Sequence, residues 1–145
     1  MDHAAFLAAL INALLHRSFD AARAVELIGE IAEKKPKQWI LRPKARGISK
    51  AILHFEDLKE GKGLLTTIEL EFQPEWQTSI RALEQRFGAN WKWLPATGAN
   101  RPRAIQFPTL SAEMTGVLMV RLTPDSPKEP DAPAKAGSAL LRRFF

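Results

Sequence analysis

The side chains able to do chemistry are few and scattered. The chain has three histidines, His3, His16 and His54, and no cysteine. Thiol nucleophiles, thiolate metal sites and disulfides are therefore excluded. No two histidines stand at an HExxH or comparable ligand spacing. His54 is followed by Glu56 and Asp57, a grouping capable of acid–base work if the fold builds a pocket around it. The plainer reading is a solvated strand end entering a turn. Glu69 and Glu71 resemble a carboxylate pair on one strand face, yet outward acids on an amphipathic strand are commonplace. An enzyme would centre on His54, Glu56 and Glu69, and needs all three around one concave pocket. Gly61-Lys62-Gly63 lacks the remaining spacing of a phosphate loop, and Leu65-Thr66-Thr67 continues it as strand rather than as a helix N-terminus. GxGxxG and GxSxG do not occur. The expectation is a protein that is not an enzyme, with no metal and no cofactor.

Basic residues interleaved with tryptophan carry a stronger signal. Residues 34–50 hold Lys34, Lys35, Lys37, Arg42, Lys44, Arg46 and Lys50 with no acid, whereas the whole chain nets +5. The remainder is thus slightly acidic, and the protein is basic in one place. Trp39 stands inside that stretch, and Trp91, Lys92, Trp93, Arg101 and Arg103 form a second cluster. Such mixtures stack bases and neutralise phosphates, or meet an acidic protein surface. If both clusters face one way, a sheet edge forms a groove. Otherwise the tryptophans cap the core and their basic neighbours stay solvated. The chain closes on Ala139-Leu140-Leu141-Arg142-Arg143-Phe144-Phe145, an apolar-basic segment suited to docking through Phe144 and Phe145.

Several elements must position these groups. Phe6, Leu7, Leu10, Ile11, Leu14 and Leu15 recur at helical spacing over Ala4–Arg17. Asp20 is placed to cap a second helix running to about Lys35, and the short link predicts a helical hairpin. Gln38–Leu41 fits a short strand. Ile48–Leu58 and Leu64–Phe72 predict a β-hairpin, with Ile68, Leu70 and Phe72 facing inward and Thr67, Glu69 and Glu71 outward. A third helix opens at Gln73-Pro74-Glu75 and stops at Gly88. Ala104–Phe107 and Gly116–Leu122 read as two more strands. The expected class is α+β: an N-terminal helical hairpin, then β-β-α-β-β, an antiparallel sheet with helices packed on one face.

At 145 residues, 46% of them apolar, the chain suits one domain. Pro124, Pro127, Pro130 and Pro133 recur every third residue, so the expected domain is 1–123, with 124–145 a flexible Pro-rich tail ending in the apolar-basic segment. Asp2 and His3, rather than lysine or arginine, precede the first apolar run, which argues against a secretory signal and for the cytoplasm. No stretch has the length of a membrane span. The first helix is apolar on more than one stripe (Phe6, Leu7, Ile11, Leu15), which leaves a homodimer contact open. Size and composition resemble those of small bacterial accessory proteins such as secretion chaperones and immunity proteins. The leading expectation is a non-enzymatic protein-binding module using Trp39, Arg42, Lys44, Arg46, Trp91, Trp93, Arg101, Arg103, Phe144 and Phe145, its partner offering an acidic or apolar surface. The alternative is a nucleic-acid-binding protein using residues 34–50.

Overall fold

The structure, a computed structural model, describes residues 3–58, 61–74, 78–94, 104–123 and 135–145. Helix α1 (His3–Leu14) and helix α2 (Ala21–Ile28) lead into strands β1 (Gly29–Lys34), β2 (Gln38–Pro43), β3 (Ile48–Leu58) and β4 (Gly61–Phe72). Helix α3 (Ile80–Phe87) follows, then β5 (Lys92–Leu94), β6 (Ala104–Leu110), β7 (Thr115–Leu122) and β8 (Ala136–Phe144). The fold is α+β as expected, with eight described strands in one antiparallel sheet ordered β1-β2-β3-β4-β8-β7-β6-β5. Besides β2, which matches the short strand read at Gln38–Leu41, the element order has one more strand before α3 (β1) and two more after it (β5 and β8) than the sequence pattern gives.

Residues 135–145 correct the expectation of a tail that starts at 124. They carry β8, which lies between β4 and β7, so Leu141 pairs with both Ile68 and Leu118 and Ala139 with Leu70 and Val120. Ala136, Ala139, Leu141 and Arg143 point into the core while Ser138, Leu140, Arg142 and Phe144 face the other way. The period of two is present in the sequence but hidden, because Leu140-Leu141 and Phe144-Phe145 look like doublets and an arginine occupies an inward position. Residues 124–134, with the four prolines, lie outside the described residues.

The second helix is also shorter than its pattern suggests. Asp20 caps it as expected, its carboxylate accepting the Arg23 N–H at 3.0 Å. The helix stops at Gly29, and residues 29–34 become the edge strand β1 instead of two further helical turns. Gly29 sits so tightly against β2 that a Cβ there would lie 2.0 Å from the Arg42 carbonyl oxygen. Only glycine permits that approach. Nor do α1 and α2 make a packed hairpin of the expected kind: the main neighbours of α1 are α3 and β8, and those of α2 are β1 and β2. Helix α3 starts at Ile80, not near Pro74, because Ser79 supplies the cap and accepts the Ala82 N–H at 3.2 Å. Gly88 ends it at φ 86°, as its position predicts.

One sheet face carries Leu41, Ala51, Leu53, Ile68, Leu70, Leu118, Val120, Ile105 and Phe107, all buried, and these share one core with Leu7, Leu10, Ile11 and Leu14 of α1, Ile28 of α2 and Leu83 of α3. Leu7, Ile11 and Leu15 are buried there and Phe6 packs against them. The apolar stripe considered for a dimer is thus taken up within the monomer. Among the described residues no helix is long and apolar enough to cross a membrane.

Candidate functional site

Alternation along β8 aims Arg143 into the covered side of the sheet, where it is 2% exposed. A guanidinium there needs acceptors, and it finds backbone oxygens. Its Nε donates to the Leu65 carbonyl at 2.8 Å, its Nη1 to Leu14 and His16 at 3.0 and 2.9 Å, and its Nη2 to Phe19 at 2.9 Å. The Leu14 oxygen is at the C-terminal end of α1, where carbonyls lack helical partners and the dipole favours a cation, and the His16 oxygen is in the turn just beyond, where it also accepts the Phe19 N–H. Desolvation lowers the Arg143 pKa from its ordinary value, and Asp20 pulls it back up. An arginine remains charged through such a shift. Among the described residues no carboxylate forms an ion pair with it.

Aromatic rings surround this cation. The guanidinium carbon lies 5.9 Å from the Phe19 ring centre and 4.8 Å from that of Phe145. Across from them, Trp39 of β2 and Phe55 of β3 meet with ring centres 5.1 Å apart and planes 53° apart, a tilted aromatic pair. The Lys34 Nζ sits 4.4 Å over the Trp39 ring. Phe19, Trp39, Phe55, Leu65, Arg143 and Phe145 line a cleft of about 450 Å³, with Arg17 also on its wall. Its size falls in the range of small-molecule and side-chain pockets.

Trp39 and Phe145 are therefore brought together by the fold, although 106 residues separate them in sequence. Of the other expected site residues, Phe144, Arg42, Lys44, Arg46 and Trp91 do not line the cleft. Phe144 lies on the opposite sheet face, 45% exposed, with the Arg142 guanidinium 5.6 Å from its ring centre. Arg42, Lys44 and Arg46 are exposed toward the far end of β2, where the Lys44 N–H bonds to Ile28 and the Arg46 carbonyl meets His3 Nε2 at 3.1 Å. Trp91 is half-buried and packs on the core. Trp93 holds its backbone place in β5 opposite Ile105. Arg101 and Arg103 lie outside the described residues. Strand β2 is six places from β5 in the sheet, on the order of 29 Å at the usual strand spacing.

The acid–base candidates occupy the other sheet face. His54 Nε2 lies 2.9 Å from Glu69 Oε1, near enough for an ion pair though out of hydrogen-bond alignment, and Gln38 Nε2 is 3.4 Å from His54 Nδ1. Glu56 is held in a two-pronged pair with Arg142 at 3.1 and 3.2 Å, and Arg142 Nη1 also donates to Thr67 Oγ1 at 3.3 Å. A hollow of about 370 Å³ opens nearby over Glu69, Glu71, Arg121 and Ser138, but neither His54 nor Glu56 lines it. Of the three groups, Glu69 alone lines that hollow. Among the described residues no cluster of His, Asp and Glu has the makings of a metal site.

Sequence reasoning missed Phe19, Phe55 and Arg143 as site residues. The available signal was the inward register of Arg143, visible only once β8 is recognised as a strand. No family model, curated protein or solved structure matches this chain.

Proposed function

We propose that this chain is a non-enzymatic protein-binding module, a cytoplasmic accessory protein of the adaptor, chaperone or inhibitor kind. It holds a partner's apolar segment in the cleft of Phe19, Trp39, Phe55 and Phe145. The observation that supports this reading is the convergence of four rings from four separate parts of the chain around an open space of about 450 Å³. Aromatic side chains of this kind supply rigid contact area and concentrate binding energy at the centre of interfaces. The test is capture of a partner from cells of the source organism by tagged wild type and by Trp39→Ser. The expected result is one stoichiometric protein held by wild type and lost by the variant. No stoichiometric protein, or equal capture by both, overturns the reading.

Exposure of all seven basic residues in 34–50 favours a second reading, nucleic-acid binding. It requires affinity for a single-stranded oligonucleotide that falls steeply with salt and is abolished by charge reversal at Lys44 and Arg46. Absence of a mobility shift at low salt eliminates it.

A further inference from the structure

The cleft is aromatic, and the cations on and around it outnumber the acids. Arg143 forms its inner wall as a buried cation whose four hydrogen bonds all end on neutral carbonyls. Arg17 lies on the same wall, Lys34 stands over Trp39, and Lys34, Lys35 and Lys37 are all exposed. Two acids offset part of this charge, Asp20 on the cleft's own lining and Asp57 beside Lys37. Asp20 accepts the Arg23 N–H as the helix cap, and Asp57 accepts the Gly63 N–H at 3.0 Å with Lys37 Nζ 3.9 Å from its other oxygen. A concave, partly apolar site with surplus positive charge focuses its field on whatever enters.

We infer that the cleft selects a partner segment in which a large apolar side chain is flanked by carboxylates, the apolar group seating among Phe19, Trp39, Phe55 and Phe145 while the carboxylates answer Arg17, Lys34 and Arg143. This rests on the protein-binding reading and adds the chemistry of the segment. Arginine beside aromatic rings suits such a ligand, since the rings take the apolar part and the guanidinium offers directed donors to a carboxylate. Arg143 would act chiefly through its field, because four of its five donors are already used. Arg17 and Lys34 supply contacts at the mouth.

The test uses the full chain and short fluorescent peptides sharing a Leu-Phe centre, flanked by Asp and Glu, by Ser and Asn, or by Lys. A single-stranded oligonucleotide of similar length is the fourth probe. Binding is read by anisotropy on wild type and on the combined Arg17→Ala, Lys34→Ala, Lys37→Ala variant, which leaves the carbonyl-bound Arg143 in place. At about 0.05 M salt the acidic peptide is expected to bind roughly tenfold more tightly than the neutral one, and the lysine peptide most weakly. That advantage should shrink to about twofold near 0.5 M salt and likewise in the triple variant. Equal affinity of acidic and neutral peptides overturns the charge selection while leaving the cleft as a binding site. Failure of every peptide, or tighter binding of the oligonucleotide, overturns both.

Discussion

Replacing Arg143 with methionine keeps a long flexible side chain in place and removes every donor. Four carbonyls, on Leu14, His16, Phe19 and Leu65, then lose the guanidinium donor, the His16 oxygen keeping the Phe19 N–H. Hydrogen bonds to a charged group contribute at least about 1.5 kcal/mol each, which gives roughly 6 kcal/mol for the set. Against this stands the desolvation of the guanidinium, which methionine relieves, and water entering at the α1–α2 link restores part of the lost bonding. A net loss of about 3–5 kcal/mol follows, the size found when one partner of a buried polar set is removed. With a urea slope of about 2 kcal/mol per molar, the unfolding midpoint should fall by about 2 M. Arg142→Met is the built-in control. It changes the neighbouring residue on the same strand but breaks partly exposed contacts, the pair with Glu56, a long bond to Thr67 Oγ1 and the approach to the Phe144 ring, a loss of about 1 kcal/mol. Arg143→Lys, with charge but no fork, should fall between the two. Urea curves followed by circular dichroism decide the matter. Equal midpoints for Arg143→Met and Arg142→Met would refute the view that Arg143 ties the helix end to the sheet.

Leu141→Ala removes a fully buried side chain from the middle of the sheet and should cost about 2–5 kcal/mol. Deletion of residues 135–145 should abolish the cooperative thermal transition, whereas a solvated tail would leave it in place. Gly29→Ala puts a Cβ 2.0 Å from a backbone oxygen, so a loss of about 2–3 kcal/mol is expected, read as a lower urea midpoint. Glu113 accepts the Arg17 N–H at 2.7 Å, and this bond, helped by His16, lowers its pKa. A carboxyl depressed in the folded state stabilises above its unfolded value, and that contribution disappears as the pH falls through the folded value. Melting temperatures between about pH 6 and pH 3 should therefore fall less for Glu113→Gln than for wild type.

Local signals were legible wherever one residue decides the outcome. Asp20 and Gly88 mark helix ends by cap chemistry alone, and the β3–β4 hairpin follows from alternation up to Phe72. The failures arose where tertiary packing outvoted local pattern. Residues 29–34 continue a helical periodicity, but Gly29 lets the chain cross β2 at contact distance and the sheet claims it. Residues 136–144 follow four prolines and carry a buried arginine, so composition reads as tail while the partners that reward a strand, β4 and β7, lie far away in sequence. The candidate site suffered most from this. Trp39 and Phe145 were legible as unusual residues, but their meeting depends on β8, and Phe19 and Phe55 look like ordinary core residues until the cleft is built around them. Trp91, like Trp39, is half-buried against the core, but it is not among the residues lining the cleft.

The place of β8 also sets an order of events during synthesis. β1 to β4 form one run of sequential neighbours and β5 to β7 another, so each can pair as it emerges. The two runs have no shared edge until residues 136–144 arrive, and the pairing of Ile68 with Leu141 closes a loop of 73 residues. Such non-local closure slows folding and prolongs the life of half-formed sheets. On the ribosome the nascent chain thus carries two incomplete sheets awaiting a common last strand, and final assembly waits for translation to pass Phe144.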